Sequence, residues 1–98
     1  MGKWYLYLIR TRHGTLYAGT TTDVGRRLLE HDEGGPKGSR YLRYRGLLEL
    51  VYQVEIGDRS LANRAEFLIK RLTKRKKEEI VSDGLTTGAL LELLGLSM

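Results

Sequence analysis

An arginine and a histidine stand four residues apart in Asp23-Val24-Gly25-Arg26-Arg27-Leu28-Leu29-Glu30-His31-Asp32. At about 100° per residue, Val24, Arg27, Leu28 and His31 fall within one sector about 100° wide, and Arg26, Leu29 and Glu30 fall outside it. A helix this short buries one stripe. A guanidinium, and an imidazole of the kind that exchanges a proton near neutral pH, therefore share that stripe with two aliphatic anchors. A purely structural helix would seldom place Arg27 there. Two tyrosines precede it, Tyr7 and Tyr17, the second followed by Ala18 and Gly19. The chain is basic, with a net charge of +5. Its cations gather in two stretches, Lys37, Arg40, Arg43 and Arg45, then Lys70, Arg71, Lys74, Arg75, Lys76 and Lys77. Such clustering suits an anionic partner, of which nucleic acid is the commonest for a basic domain, although a positive balance also serves plain solubility.

The elements that must position these groups follow from local pattern. Trp4 to Arg10 reads as a strand, apolar on both faces and hence central. Thr11-Arg12-His13-Gly14-Thr15 reads as a hairpin loop of the type I turn plus bulge kind, with Gly14 left-handed. That turn sets Thr11 opposite Thr15, Ile9 opposite Tyr17 and Tyr7 opposite Gly19, so the two phenols converge on one face of the sheet. Thr20, Thr21 or Thr22 can cap the next helix, Asp23 to Asp32, with Asp23 favourable in its first turn. Residues 33–39 hold three glycines and the only proline and predict a loop. Ser39 to Tyr44 predicts one helical turn that presents Arg40 and Arg43 beside Tyr41 and Tyr44.

Leu47 to Ile56 alternates as a half-buried strand, with Leu48, Leu50, Tyr52, Val54 and Ile56 on one apolar face. Ser60 is the expected N-cap of a helix from Leu61 to Leu72, whose stripe is Leu61, Ala65, Leu68, Ile69 and Leu72, with Glu66 at its margin. Thr73 caps a further basic helix, Lys74 to Val81. Ser82-Asp83-Gly84 turns the chain, and Thr87 to Leu94 forms the last helix.

Ninety-eight residues suit one domain with a single modest core. At 41% hydrophobic and 30% charged, the chain is too apolar for general disorder. No apolar run approaches the roughly 20 residues of a membrane span. With no cysteine there is no disulfide, thiolate nucleophile or Cys-type zinc site. The opening Met1-Gly2-Lys3-Trp4 lacks the apolar core of a secretory signal, and a cytoplasmic location is the expectation.

The order β, β, α, β, α, α, with Tyr5-Leu6-Tyr7 in the first strand, Tyr17-Ala18-Gly19 in the second, Arg27 and His31 on the first helix and Arg64-Ala65-Glu66-Phe67-Leu68-Ile69-Lys70 later, resembles the GIY-YIG endonuclease superfamily, in particular its small single-domain members. The resemblance covers about residues 4 to 81. It implies an α+β fold, a small mixed or antiparallel three-stranded sheet flanked by helices, in a single nuclease domain over residues 1–98, with 82–98 as a helical extension. It also implies divalent-metal-dependent hydrolysis of phosphodiester bonds in DNA, selective for structure rather than sequence, with a place in repair or recombination. Glu66 would hold Mg²⁺ or Mn²⁺ and Tyr7 would deprotonate or position the attacking water. Tyr17 would orient that water, Arg27 would stabilise phosphorane charge, and His31 would relay a proton or hold the scissile phosphate. Arg27 and the metal would have to lower the Tyr7 pKa, since a phenol near 10 is a poor base.

Lys37, Arg40, Arg43, Lys70, Lys74 and Arg75 are the candidate nucleic-acid contacts. Many family enzymes carry an Asn after the Glu-bearing helix, whereas the only Asn here is Asn63, inside it. Targeting would come from the basic stretches, dimerisation, a protein partner, or DNA structure such as a flap or branch. A nucleic-acid-binding module of the same fold, with weak or partner-dependent turnover, is the alternative. Taken without the family, Tyr7 and Tyr17 also fit cross-strand core aromatics, His31 a packed or capping histidine, Glu66 a surface charge and Arg27 its salt-bridge partner.

Overall fold

The computed structural model describes residues 2–33 and 48–96, and at 31–33 the backbone alone. Three strands, β1 (Trp4–Thr11), β2 (Leu16–Thr21) and β3 (Leu48–Gly57), form one sheet in the order β2-β1-β3. Both pairings are antiparallel. Helix α1 (Val24–Glu33) follows β2, and α2 (Arg59–Lys70), α3 (Lys74–Asp83) and α4 (Thr87–Leu93) follow β3. The fold is α+β, as expected, with a wholly antiparallel sheet. Among the described residues no helix is long and apolar enough to cross a membrane.

β1 takes the centre because both its faces are apolar. Leu6, Leu8 and Ile9 are fully buried and Tyr7 nearly so, and a strand buried on both sides needs cover on both sides. On one face Leu6, Leu8, Ala18, Tyr52 and Ile56 pack with Leu61, Ala62 and Ile69 of α2, Ile80 of α3, and Leu90 and Leu91 of α4. The other face is smaller: Tyr7 and Ile9 pack with Val24 of α1, and Leu28, Leu48 and Leu50 close around them. α4 is tied to β3 by hydrogen bonds as well as by its leucines. Tyr52 Oη donates to the Leu85 carbonyl at 2.8 Å, and Thr87 Oγ1 donates to the Glu55 carbonyl at 2.7 Å.

The hairpin forms as its turn residues dictate. Gly14 sits at φ 83°, its N–H donates to the Thr11 carbonyl at 2.8 Å, and the Thr11 N–H donates to the Thr15 carbonyl at 2.9 Å. Ile9 therefore pairs with Tyr17 and Tyr7 with Gly19. Arg10 extends from β1 to α3, where its guanidinium grips both oxygens of Glu78 at 2.6 and 2.8 Å. That hydrogen bond and the attendant charge hold the Glu78 carboxyl below its ordinary value.

Five local expectations are corrected. The apolar residues of β3 do not share a face, because the register slips between Leu8 and Ile9 and leaves Val51 as an extra residue. Tyr52 and Val54 thus face α2, while Leu48 and Leu50 join the α1 side. Asp58, not Ser60, caps α2, its carboxylate accepting from the Leu61 N–H at 2.8 Å; a charge at this terminus also meets the helix dipole. None of the threonines caps α1. Asp23 Oδ1 accepts from the Arg26 N–H at 3.1 Å, and Thr21 Oγ1 accepts from the Asp23 N–H one step earlier. α2 stops at Lys70 because its last bonds tighten to i→i−3, from Arg71 to Leu68 and Leu72 to Ile69. Thr73 then caps α3 as expected, accepting from the Lys76 N–H at 3.2 Å. α1 runs on through Glu33, where the loop over residues 33–39 was expected to begin; the rest of that loop and the turn expected at 39–44 lie outside the described residues.

Candidate active site

Tyr7 leaves the middle of β1 on the α1 side and is only 2% exposed. Its hydroxyl lies over Gly19, its register partner on β2, where a Cβ would overlap the hydroxyl and come within 3.1 Å of Cε1. Only glycine leaves room for the phenol. Gly19 thereby joins the site residues, and the signal that finds it in the sequence is the Tyr7-to-Gly19 pairing itself.

Arg27 of α1 lies beside the Tyr7 phenol, where its guanidinium favours the phenolate. It also meets Glu30 at 3.2 Å. Glu30 lies outside the buried stripe on the helical wheel, yet its long arm turns back along the i, i+3 direction to reach the guanidinium. Burial pushes the Tyr7 phenol up to about 12; the hydrogen bond and charge of Arg27 pull it down by less, and Tyr17 and Glu66 push the same way as burial. Arg27 alone therefore does not make Tyr7 a base near neutral pH. Tyr17, half-buried on the same face, has the Lys70 Nζ 5.7 Å from its ring centroid.

Glu66 comes from the opposite side of the sheet. It lies at the margin of the α2 stripe, as its spacing predicts, and is anchored at the open edge of β2. Oε1 accepts from Thr20 Oγ1 at 2.9 Å and Oε2 meets Lys70 Nζ at 2.6 Å. Thr20 is the neighbour of Gly19, and the Glu66 charge is felt at Tyr7. Two layers of the fold, α1 and α2, thus send their polar groups to one strand edge.

Among the described residues, no three His, Cys, Asp or Glu side chains gather as a metal cage. The fit to a divalent ion rests on Glu66. Its carboxylate is 24% exposed and one oxygen is steadied by a hydroxyl. A hard ion such as Mg²⁺ accepts one carboxylate and fills its shell with water and phosphate oxygens. The second oxygen is shared with the ammonium of Lys70, which an incoming cation must displace.

Lys70 and Lys77 line a groove against Thr15, Leu16, Tyr17 and Ala18, and Lys74 with Lys77 continues it towards the hairpin. Lys77 was missed because the turn after Lys70 breaks the helical count that would have joined it to Lys70 and Lys74. Arg75 does not line this groove; it is 90% exposed and meets Glu79 at 3.5 Å. Asn63 is exposed on α2. The side chain of His31, and Lys37, Arg40 and Arg43, lie outside the described residues, although the backbone of position 31 continues α1 one turn beyond Arg27.

A phenol seated on a strand glycine, a guanidinium on the helix that follows, and a carboxylate from a later helix define a class of site. Residues 3–79 match the GIY-YIG catalytic domain, and the chain belongs to that family, which is a nuclease family. Among its relatives, a UPF0213 protein of Citrobacter koseri is 52% identical over 94 residues, spanning 96% of this chain and 92% of that one. The UPF0213 protein YhbQ of Escherichia coli K12 is 51% identical over the same shares. The solution NMR structure of the UPF0213 protein BH0048 from Bacillus halodurans superposes with a TM-score of 0.55 at 35% identity, covering 97% of this chain and 99% of that one. The solution structure of EF2693 from E. faecalis gives 0.58 at 32% identity, covering 85% and 86%.

Proposed function

We propose that this protein is a divalent-metal-dependent endonuclease that hydrolyses phosphodiester bonds in DNA, selecting by DNA structure rather than sequence, in repair or recombination. The observation that carries the reading is the Tyr7 phenol seated on Gly19 with Arg27 acting on it, and Glu66 held by Thr20 at the same strand edge. Tyr7, its phenol near 12, keeps its proton at neutral pH. Its part is to hold the attacking water in line by hydrogen bonding, and Tyr17 steadies that water from the neighbouring position.

Arg27 donates to the non-bridging phosphate oxygens as negative charge accumulates on them, an interaction that strengthens towards the transition state. His31 is assigned the scissile phosphate or a proton relay. Glu66 would hold Mg²⁺ or Mn²⁺, and such an ion, when bound, polarises the phosphoryl group and acidifies water. Lys70, Lys74 and Lys77 take backbone phosphates along the β2 groove, and Lys37, Arg40, Arg43 and Arg75 add to the positive field.

The test is a cleavage screen of duplex, single-stranded, flap and branched DNA, and of RNA, with Mg²⁺, Mn²⁺ or EDTA. The expected result is metal-dependent cutting of branched or single-stranded DNA that Glu66→Ala abolishes while binding persists. Equal, metal-independent products from both proteins would refute it. One observation favours the second reading, a binding module with weak or partner-dependent turnover: Lys70 sits on the carboxylate that must accept the metal. That reading predicts salt-dependent binding without cutting.

A further inference from the structure

We propose that Phe67, with Arg71 beside it, is a stacking platform for an unpaired base of the substrate strand, so that the DNA taken by this site carries single-stranded nucleotides next to the scissile phosphate. The inference rests on the phosphodiesterase reading above and narrows its substrate class.

Phe67 is the only phenylalanine in the chain and stands 61% exposed. α2 buries Leu61, Ala62, Ala65 and Ile69, and at about 100° per residue Phe67 points away from that stripe. The core does not use the ring. A protein-docking surface would place further apolar side chains around it. Instead Asn63, Arg64, Lys70 and Arg71, all exposed, share the outer half of the helix. The Arg71 guanidinium carbon lies 5.3 Å from the Phe67 ring centroid. An isolated aromatic ring among cations is the combination that binds single-stranded nucleic acid, with the ring under a base and the cations on the flanking phosphates.

Position along the helix ties the platform to the site. Phe67 follows Glu66 directly, and Lys70, which meets Glu66 at 2.6 Å, projects between them on the wheel. Side-chain tips about 100° apart on a helix roughly 10–12 Å across are separated by about 9 Å. A strand lengthens beyond the duplex's roughly 3.4 Å per nucleotide once its bases unstack, so about three nucleotides at most span that distance. A base inside a duplex has both faces covered by its neighbours. Phe67 can therefore receive only a base that has left the stack or never joined one. A flap, a fork or a single strand offers that base along its length; a blunt duplex offers only the outer face of each terminal pair and so gains far less from the ring.

The full chain is titrated in EDTA, by fluorescence anisotropy, with a dT12 oligonucleotide, a flap substrate and a blunt duplex. Phe67→Ala is expected to weaken dT12 and flap binding by about 5- to 150-fold and to leave the duplex within about twofold. Phe67→Trp should restore affinity, and its indole fluorescence should be quenched by dT12 beyond the signal from Trp4 in the unmodified chain. Equal losses on all three ligands would overturn the proposal. So would a dimer of the unmodified chain that Phe67→Ala converts to monomer, because the ring would then belong to a second copy. Circular dichroism of Phe67→Ala guards the comparison; a loss of helix would make Phe67→Trp, with the same expected quenching, the deciding variant. Cutting by the unmodified chain with Mn²⁺ is scored separately, so a failure of the phosphodiesterase reading is not confused with a failure of stacking.

Discussion

Gly19→Ala puts the site's geometry to its sharpest test. A Cβ at position 19 would lie 2.5 Å from Tyr7 Cζ, and ordinary contact begins at 3.4 Å, so the ring must retreat by about 0.9 Å or the strands must part. Neither is easy. Tyr7 is 2% exposed and packs with Ile9 and Val24, and positions 7 and 19 face each other across the ladder that joins the edge strand to the centre of the sheet. Inserting a methyl group into so tight a place costs about 1–3 kcal/mol. Loss of alignment between the phenol and Arg27 adds part of a charge-assisted hydrogen bond, itself about 1.5–3 kcal/mol when fully lost.

We therefore expect Gly19→Ala to lose about 2–3 kcal/mol in urea denaturation with an unchanged m-value, and about 10–20 °C in Tm. Cleavage should fall further than stability implies, by about 100-fold, since a displacement near 1 Å at the reacting centre costs that much. Tyr7→Phe in the Gly19→Ala background should recover part of the stability, because the hydroxyl is one of the overlapping atoms. Gly88→Ala is the control: nothing lies within 4 Å of a Cβ there, and alanine near the start of α4 should be neutral or stabilising by up to about 1 kcal/mol. Equal stability of Gly19→Ala and Gly88→Ala would refute the close seating of Tyr7 on β2.

Three further outcomes are expected. Tyr7 and Tyr52, both pushed up by burial to about 12 from an ordinary 10.0, keep their protons in the folded state while the unfolded chain loses them, so stability is intact below pH 10 and falls by several kcal/mol as pH rises towards 12; Tyr52→Phe should remove about one proton from the slope of alkaline unfolding, and an unchanged slope would contradict this. Asp58→Ala should cost about 1 kcal/mol in urea denaturation and Ser60→Ala under about 0.5, because only Asp58 accepts from the Leu61 N–H; the reverse order would sink the assignment of the cap. Lys70→Gln should free Glu66 Oε2 and raise Mn²⁺ affinity about fivefold, a modest gain because the pair is partly exposed; electron paramagnetic resonance of free Mn²⁺ reads this directly, and equal affinities would mean Lys70 does not compete for the carboxylate.

Where a residue's role is decided by its immediate neighbours, it was legible. Gly14 and its flanking threonines set the hairpin register, and that register alone brought Tyr7 to Gly19. The double-sided apolar run of β1 announced a central strand. The sequence misleads where two local signals compete or where distance along the chain hides proximity. Asp58 and Ser60 are both good caps two residues apart, and the carboxylate prevails. The slip at Val51 carries no glycine or proline to mark it, so the alternation of β3 reads as one face although it serves two. Glu30 was placed by its Cα direction, whereas three rotatable bonds let its carboxylate reach Arg27. Lys77 joins Lys70 only because α2 and α3 meet at a tight turn beside β2.

The site's location at a strand edge follows from these same forces. β1 and β2 must be covered on both faces, so α1 and α2 lie in different layers and cannot touch through the sheet. Polar groups from the two layers can meet only beyond the outer edge of β2 or where a strand residue has no side chain to block them, and Gly19 beside Thr20 supplies both conditions. Thr20 holds Glu66 from one layer while Gly19 admits the Tyr7 phenol from the other. Two adjacent residues of one strand thus bear directly on where the tyrosine and the carboxylate end. Large-to-small substitutions in the core beneath α2, such as Ile69→Val, should therefore lower stability by about 1 kcal/mol and leave the Tyr7–Glu66 geometry in place. Thr20→Val, which keeps the shape and removes the hydroxyl, should loosen Glu66 with little effect on the fold.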